Sequence, residues 1–405
     1  MNMVEKLCVC LYVSLFIADD KYNLYACFKC ILCILIICIV LNVWLSRHAC
    51  SPNIRIEFVS KVKTRIHEKA DELKQFEDDV LRKDGKLANY LDKLFSLMFE
   101  EPDFSKKYLV YQYDQSLNNI GDFFPGVITA FLISILSQRS FAIKETSGCS
   151  PLSWFETRLV SWDVKEEDFR GLTSSRHDVR MMTHFREQLE SYNFDTKFIQ
   201  DVIYFVVEEE LIAEIRRHFR TFDTMPWIVN MAHSDIIRIA LYGLFQPSEV
   251  LVKKVNEIFL PYNEFNHLVC LHAQVPVYSY SYYDPVWKFL KNYGKRTNLT
   301  YNIFIDINNE EIKNKVKEEF GSTMVDFDKY FYLFSDDGNK CNEYFKNVLQ
   351  MTILQNCNAL IITDSLQGKY AAYMRASSDN LFCYVGTSSV FECNRDVLKS
   401  TLSWD

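Results

Sequence analysis

Four short segments carry the side chains best suited to an anionic ligand. Leu271-His272-Ala273-Gln274 closes a very apolar run. Residues two apart on an extended chain face the same way, so His272 and Gln274 would point together at a ligand; a buried, satisfied His is the plain alternative. Thr363-Asp364-Ser365-Leu366-Gln367-Gly368 joins an apolar run to a helical one. Small hydroxyls and a Gly there suit phosphate oxygens at a helix N-terminus, while an N-cap alone would explain Asp364 or Ser365. Asp306-Ile307-Asn308-Asn309-Glu310-Glu311 clusters carboxylates beyond a strand. That cluster suits a metal or a ribose, or else a helix start capped by Asn308 or Asn309 with both glutamates on the dipole. Asn119-Ile120-Gly121-Asp122-Phe123-Phe124-Pro125-Gly126 forms an N-terminal loop in which Gly121 and Gly126 permit close backbone approach and Asp122 is the polar group. It matches neither the dinucleotide fingerprint nor the P-loop, and a strand–helix turn also explains it.

The elements that must position these segments alternate. Tyr108–Tyr113 reads as a strand, Val127–Leu136 as an apolar helix entered through Pro125 and Gly126, and Phe141–Ile143 as a strand. Phe198–Phe219 reads as a long charged helix, Trp227–Met231 as a strand, and Ile236–Phe245 and Glu249–Phe259 as helices. A second cycle follows: strand Leu268–Leu271, strand Tyr301–Ile305, helix Glu310–Phe320, strand Thr323–Val325, helix Cys341–Gln355, strand Ala359–Ile362, helix Lys369–Arg375 and strand Leu381–Val385. Such alternation predicts an α/β protein of two Rossmann-like halves, 107–262 and 263–405, each a parallel sheet with helices on both faces. Ligands then sit beyond the carboxyl ends of the strands, in the cleft between the halves.

Composition sets the limits. With 49% hydrophobic residues and 15% aromatic ones the chain can bury a real core, and a net charge of −8 argues against a nucleic-acid surface. Seven of the 13 cysteines lie at or before Cys50. The other six, Cys149, Cys270, Cys341, Cys357, Cys383 and Cys393, lack CxxC spacing, so zinc is not expected; they are paired in an oxidising lumen or are free core thiols. Asn298-Leu299-Thr300 is a glycosylation sequon.

Cys30–Ser46 is uncharged between Lys29 and Arg47 and has the minimum length of a membrane-spanning helix. It follows a tail, 1–29, whose Leu7–Ala18 run has the length of a signal-peptide core. Arg47, Arg55, Lys61, Lys63 and Arg65 follow the span, against Lys21 and Lys29 before it, so charge alone would leave the large domain cytosolic. In the stem, 47–106, Val59, Val62, Ile66, Ala70, Leu73, Phe76 and Val80 recur at helical spacing. That stripe either pairs two chains as a homodimer or packs on the domain behind it.

In order, the four segments resemble the fucosyltransferases of the two-domain, GT-B-like superfamily, which include α1,2-, α1,6- and protein O-fucosyltransferases and bacterial chitooligosaccharide fucosyltransferases. The resemblance spans Tyr108 to Val385. The family's G-x-G-N-x-x-x-G turn becomes Asn119-x-Gly121-Asp122-x-x-x-Gly126, and Leu244-Phe245-Gln246-Pro247 resembles its LF-x-P segment. In its H-x-R donor motif His272 matches the His and Gln274 replaces the Arg, which in the family steadies the leaving diphosphate. Asn308 stands near the family's Asp, and Thr363, Asp364 and Ser365 occupy its phosphate turn. The resemblance implies inverting transfer from GDP-fucose to a glycan acceptor without a metal or other cofactor, or binding without turnover because the Arg is absent. It also implies a single-pass type II Golgi membrane protein with the main domain luminal, the span acting as signal-anchor. The Asn119-x-Gly121-Asp122 turn is similar also to that of polysaccharide pyruvyltransferases.

Overall fold

The computed structural model describes residues 89–91, 93–94, 107–113, 120–145, 151–222, 225–259, 267–273, 280–297, 299–325, 327–328, 342–375, 377–386, 389–398 and 402, all within one compact unit, Val80–Asp405. The tail 1–29, the span Cys30–Ser46, the Val59–Val80 stripe, Gln274 and Asn298 lie outside the described residues. Among the described residues no helix is long and apolar enough to cross a membrane.

The first half is built on a four-stranded parallel sheet, order β2-β1-β5-β4. Its strands are β1 (Tyr108–Tyr113), β2 (Ser140–Glu145), β4 (Ser174–Asp178) and β5 (Val202–Val206). A small antiparallel pair, β3 (Phe155–Thr157) with β6 (Phe245–Pro247), lies apart from it. Helix α1 (Ile120–Leu136) connects β1 to β2 and is buried almost all round. It has no polar face because it is covered on two sides, by its own sheet and by a helix of the second half. Helices α2 (Ile212–Phe222), α3 (His233–Leu244) and α4 (Glu249–Phe259) complete this half.

The second half holds a five-stranded sheet, order β11-β10-β9-β7-β8, parallel except for the edge pair β10/β11. Its strands are β7 (Leu268–Ala273), β8 (Asn302–Ile307), β9 (Ala359–Ile362), β10 (Leu381–Cys383) and β11 (Phe391–Glu392). Helices α5 (Asp284–Thr297) and α6 (Glu310–Phe320) cover one face through Val286, Trp287, Leu290, Ile312 and Val316. Helices α7 (Asn342–Gln355) and α8 (Leu366–Met374) cover the other. That second face shares one continuous core with the first half, in which Cys270, Leu360 and Tyr370 join Phe123, Phe124 and Leu244. Phe124 of α1 meets Tyr370 of α8 at 5.3 Å between ring centroids, and the Tyr242 hydroxyl of α3 donates to the Met374 carbonyl at 2.7 Å. Tyr113 and Tyr344 join their hydroxyls across the same boundary at 2.7 Å.

One device recurs. After α1 the buried Arg139 donates to the carbonyls of Tyr108, Phe198 and Asp201; after α8 the buried Arg375 donates to those of Cys357, Asn358 and Asp379. Each guanidinium satisfies carbonyls near the amino-terminal edge of its sheet, where strands begin and loops would otherwise leave acceptors bare.

Several elements differ from the sequence expectation. The first sheet does not have helices on both faces: Val110, Ala142 and Val202 are roofed by Val164, Phe169 and Leu172 of an irregular segment. Val202–Val206 is strand β5 rather than part of a helix, because its β-branched and aromatic run fits a central strand and the helix starts only at Ile212. Pro226 opens a short helix, Pro226–Val229, in place of a strand at Trp227–Met231. Thr323–Val325 is no strand; a single bridge joins Met324 to Ile303. Gly121, Asp122 and Gly126 are no loop but lie in the first two turns of α1. Gly126 is the point of closest approach of helix and sheet: a Cβ there would overlap the Val207 carbonyl oxygen and the Tyr111 hydroxyl.

Among the described residues, Cys270 pairs with Cys357 and Cys383 with Cys393 in disulfides.

Candidate functional site

Three adjacent strands of the second sheet end together. His272 and Asp306 face each other in the register of β7 and β8, and His272 stands beside Ile362 of β9. Chain connectivity after β9 leads through Thr363, whose N–H donates to the His272 carbonyl at 3.2 Å, to Ser365, the N-cap of α8.

The side chains form a closed relay. Asp306 Oδ2 lies 2.7 Å from His272 Nδ1, and Ser365 Oγ lies 2.7 Å from His272 Nε2. Gln350 Nε2 of α7 donates to the other carboxylate oxygen at 2.8 Å, and the Gly368 N–H donates to Ser365 Oγ at 2.9 Å. A carboxylate only accepts, so His272 Nδ1 is the donor to Asp306, and Nε2 shares the second bond with the Ser365 hydroxyl. His272 is 2% exposed, Asp306 5% and Ser365 8%. Burial without partners would be costly for each, and every one has its partner.

The groups are those of a nucleophilic triad, but the surroundings are not. Ser365 Oγ is already committed as a helix cap, and an added Cβ on Gly368 would stand 2.9 Å from it and 2.8 Å from His272 Cδ2. Beside a nucleophile there must be room for a tetrahedral carbon, and Ser365 is only 8% exposed, with its Oγ shared between His272 and the Gly368 N–H. The relay therefore fixes the imidazole and the start of α8. Both ring nitrogens are used, which leaves His272 none for a ligand.

The remaining predicted residues divide. Thr363 is buried at the head of the turn. Asp364 is partly exposed and pairs with Lys369 Nζ at 2.6 Å, which sets a cation in the first turns of α8. Asn308 is exposed beyond β8, and Asn309 is the cap of α6, accepting from the Ile312 N–H at 3.1 Å. Glu310 pairs with Lys313 and Glu311 with Lys315, so both serve the helix. Gly121, Asp122 and Gly126 sit in α1 of the first half, and Asp122 raises the Tyr344 hydroxyl pKa electrostatically, after burial of that tyrosine. Among the described residues no group of three or more His, Cys, Asp or Glu side chains is placed to hold a metal ion.

Sequence reasoning missed Asp306 as the partner of His272, along with Gln350 and Lys369. The signal for Asp306 was available: Leu268–Ala273 and Asn302–Ile307 are six-residue strands whose apolar runs are each interrupted at the fifth position by a polar group. Gln350 had none, since α7 reaches the site only through tertiary packing.

Among solved structures the chain is similar to an Arabidopsis thaliana FUT1 mutant in complex with GDP, at 13% identity and a TM-score of 0.46, over 78% of this chain and 78% of that one. It is similar to the NodZ alpha-1,6-fucosyltransferase soaked with GDP-fucose, at 10% identity and a TM-score of 0.43, over 72% of this chain and 99% of that one. A fucosyltransferase NodZ from Bradyrhizobium gives 10% and 0.43, over 71% and 99%. No protein-family model and no curated protein matches the chain.

Proposed function

We propose that the chain binds GDP-fucose at the carboxyl edge of the second sheet, within a GT-B-like pair of halves, and transfers fucose with inversion to a hydroxyl of a glycan acceptor. The observation that carries this reading is the convergence of Thr363, Ser365 and the relay-held His272 on the N-terminus of α8. A helix start with unpaired N–H groups, small hydroxyls and a nearby Lys369 is suited to a diphosphate. The choice of fucose rests on the order of the four sequence segments.

In the transfer, the bond from the anomeric carbon to the diphosphate breaks as the acceptor oxygen bonds that carbon, and the acceptor proton is released. Negative charge grows on the leaving GDP. The leading N–H groups of α8, the Thr363 hydroxyl and Lys369 offset it without a metal. Gln274 contributes one neutral hydrogen bond where a guanidinium would contribute charge.

Gln274 favours a second reading, a domain that binds the nucleotide sugar and partners an active transferase without turnover. Calorimetry with GDP-fucose and a hydrolysis assay on residues 51–405, wild type beside Gln274→Arg, separate the two. Turnover by the wild type removes the second reading; binding with activity only in the variant removes the first. Failure of both forms to bind GDP-fucose overturns the whole assignment.

The setting we propose is the Golgi membrane, single-pass type II, with Cys30–Ser46 as signal-anchor and the domain luminal. The two disulfides support it, since such bonds persist in oxidising compartments. Protection of the domain from protease in intact microsomes is the expected result, and digestion without detergent overturns it.

A further inference from the structure

A second, cationic site lies on α5. A groove of about 470 Å³ runs between that helix and the Ser389–Val390 segment, and Lys288, Phe289, Asn292, Lys295 and Arg296 line it. The chain as a whole is acidic, with 53 Asp and Glu against 45 Lys and Arg, yet the groove gathers three cations and no carboxylate. All three are exposed, and none is paired with an acid among the described residues. Lys291, one residue off this face, is by contrast paired with Glu319.

Helix electrostatics account for part of this. Lys295 and Arg296 fall in the last turn, where cations complement the dipole. Lys288 lies two turns earlier and gains nothing from it. Seven residues separate Lys288 from Lys295, a rise of about 10 Å along the same face. A single phosphate or carboxylate cannot meet both. Between them the Asn292 amide offers a donor and an acceptor to hydroxyls, and the Arg296 guanidinium sits 4.7 Å from the Phe289 ring centroid, held for planar pairing with an anion.

We propose that this groove binds an oligosaccharide bearing sulfate or carboxylate groups about 10 Å apart. The concave shape and the hydroxyl-matching amide favour a saccharide over a lipid headgroup or a nucleic acid. The groove shares no lining residue with the relay, and because α5 leaves β7 beyond its carboxyl end and returns to the start of β8, its last turn, with Lys295 and Arg296, lies toward the opposite edge of the sheet from His272.

The test uses the full-length protein in detergent micelles and a sulfated heparin tetrasaccharide, with maltotetraose, glycerophosphoserine and a hexathymidylate as comparisons. Calorimetry is expected to show binding of the heparin tetrasaccharide alone, weakening as salt rises. The Lys288→Gln/Lys295→Gln variant, with its unfolding temperature unchanged, is expected to lose about tenfold in affinity. No binding of the heparin tetrasaccharide, unchanged affinity in that variant, or equal binding of the neutral sugar, the headgroup or the oligonucleotide overturns the proposal.

Discussion

His272 and Asp306 occupy opposed positions on neighbouring parallel strands, and their side chains meet at 2.7 Å inside the protein. The pair is a consequence of register. A slip of one residue in either strand would turn that strand's side chain to the other face of the sheet and part the pair. Because Asp306 also accepts from Gln350, the carboxylate has both oxygens engaged and can hold the imidazole in one tautomer.

Replacing Asp306 with Ala strands two buried donors, His272 Nδ1–H and Gln350 Nε2, and is expected to cost about 2–4 kcal/mol of stability. Asp306→Asn should cost less, since a rotated Gln350 amide can still pair with it. Urea unfolding measures the difference. Nitrogen NMR of the wild type should show Nδ1 protonated, and this preference should weaken in the Ala variant. The opposite tautomer in the wild type would refute the relay.

Gly368 is held to a hydrogen by what surrounds it. Its Cβ position is 2.8 Å from His272 Cδ2, and the first turn of α8 leaves little freedom to yield. Gly368→Ala is therefore expected to destabilise by about 1–3 kcal/mol despite Ala's better helix propensity. Gly243, inside α3, meets only a Leu94 side-chain carbon at 3.5 Å, and Gly243→Ala should be neutral or stabilising. Thermal unfolding of the two variants checks the contrast; equal effects would show that packing at Gly368 is looser than described.

Much of the architecture is readable without coordinates, for a physical reason. Tyr108–Tyr113, Ala359–Ile362 and the apolar body of α1 are buried, and burial writes itself into sequence as hydrophobic runs. Edge elements lack that signature. β4, Ser-Ser-Arg-His-Asp, is a strand with no apolar residue, visible only once β5 is there to pair with it. The candidate site falls between these cases. Its His, Thr and Ser stand out because polar residues at strand ends are conspicuous. Asp306 was hidden by placing the end of β8 two residues early, which made a strand residue look like part of a loop cluster.

The disulfides make unequal claims. Cys270 and Cys357 are 87 residues apart and Cys383 and Cys393 only 10. By loop-closure entropy the longer link is worth about 4.6 kcal/mol and the shorter about 2.7. Cys270→Ala/Cys357→Ala is thus expected to lower the urea midpoint more than Cys383→Ala/Cys393→Ala. Non-reducing peptide mapping should recover both linked pairs. Alkylation of Cys270, Cys357, Cys383 and Cys393 in protein purified without reductant would remove the disulfides and their support for an oxidising compartment.

Acid should weaken the fold in two stages. Burial lowers the imidazole pKa of His177, His218 and His267, with Arg139 adding to it at His177 and the Tyr192 carbonyl opposing it at His218. In the unfolded chain these groups protonate near pH 6.5 or about there, whereas the folded protein resists. Their contribution is complete above that pH and is lost as pH falls below it, because the unfolded state then binds more protons. The carboxylates act lower. Burial pushes Asp328 up, but Lys313 and Lys346 more than offset it, and Arg180 holds Asp178 down through a side-chain hydrogen bond. Their stabilisation persists until pH falls below about 4. The unfolding temperature is therefore expected to decline as pH falls below about 6.5 and to decline further below about pH 4. His218→Gln should flatten the first decline while leaving the second, and Asp328→Asn should do the reverse. A constant unfolding temperature from neutral pH to 5 would show that the three histidines are hydrated in solution.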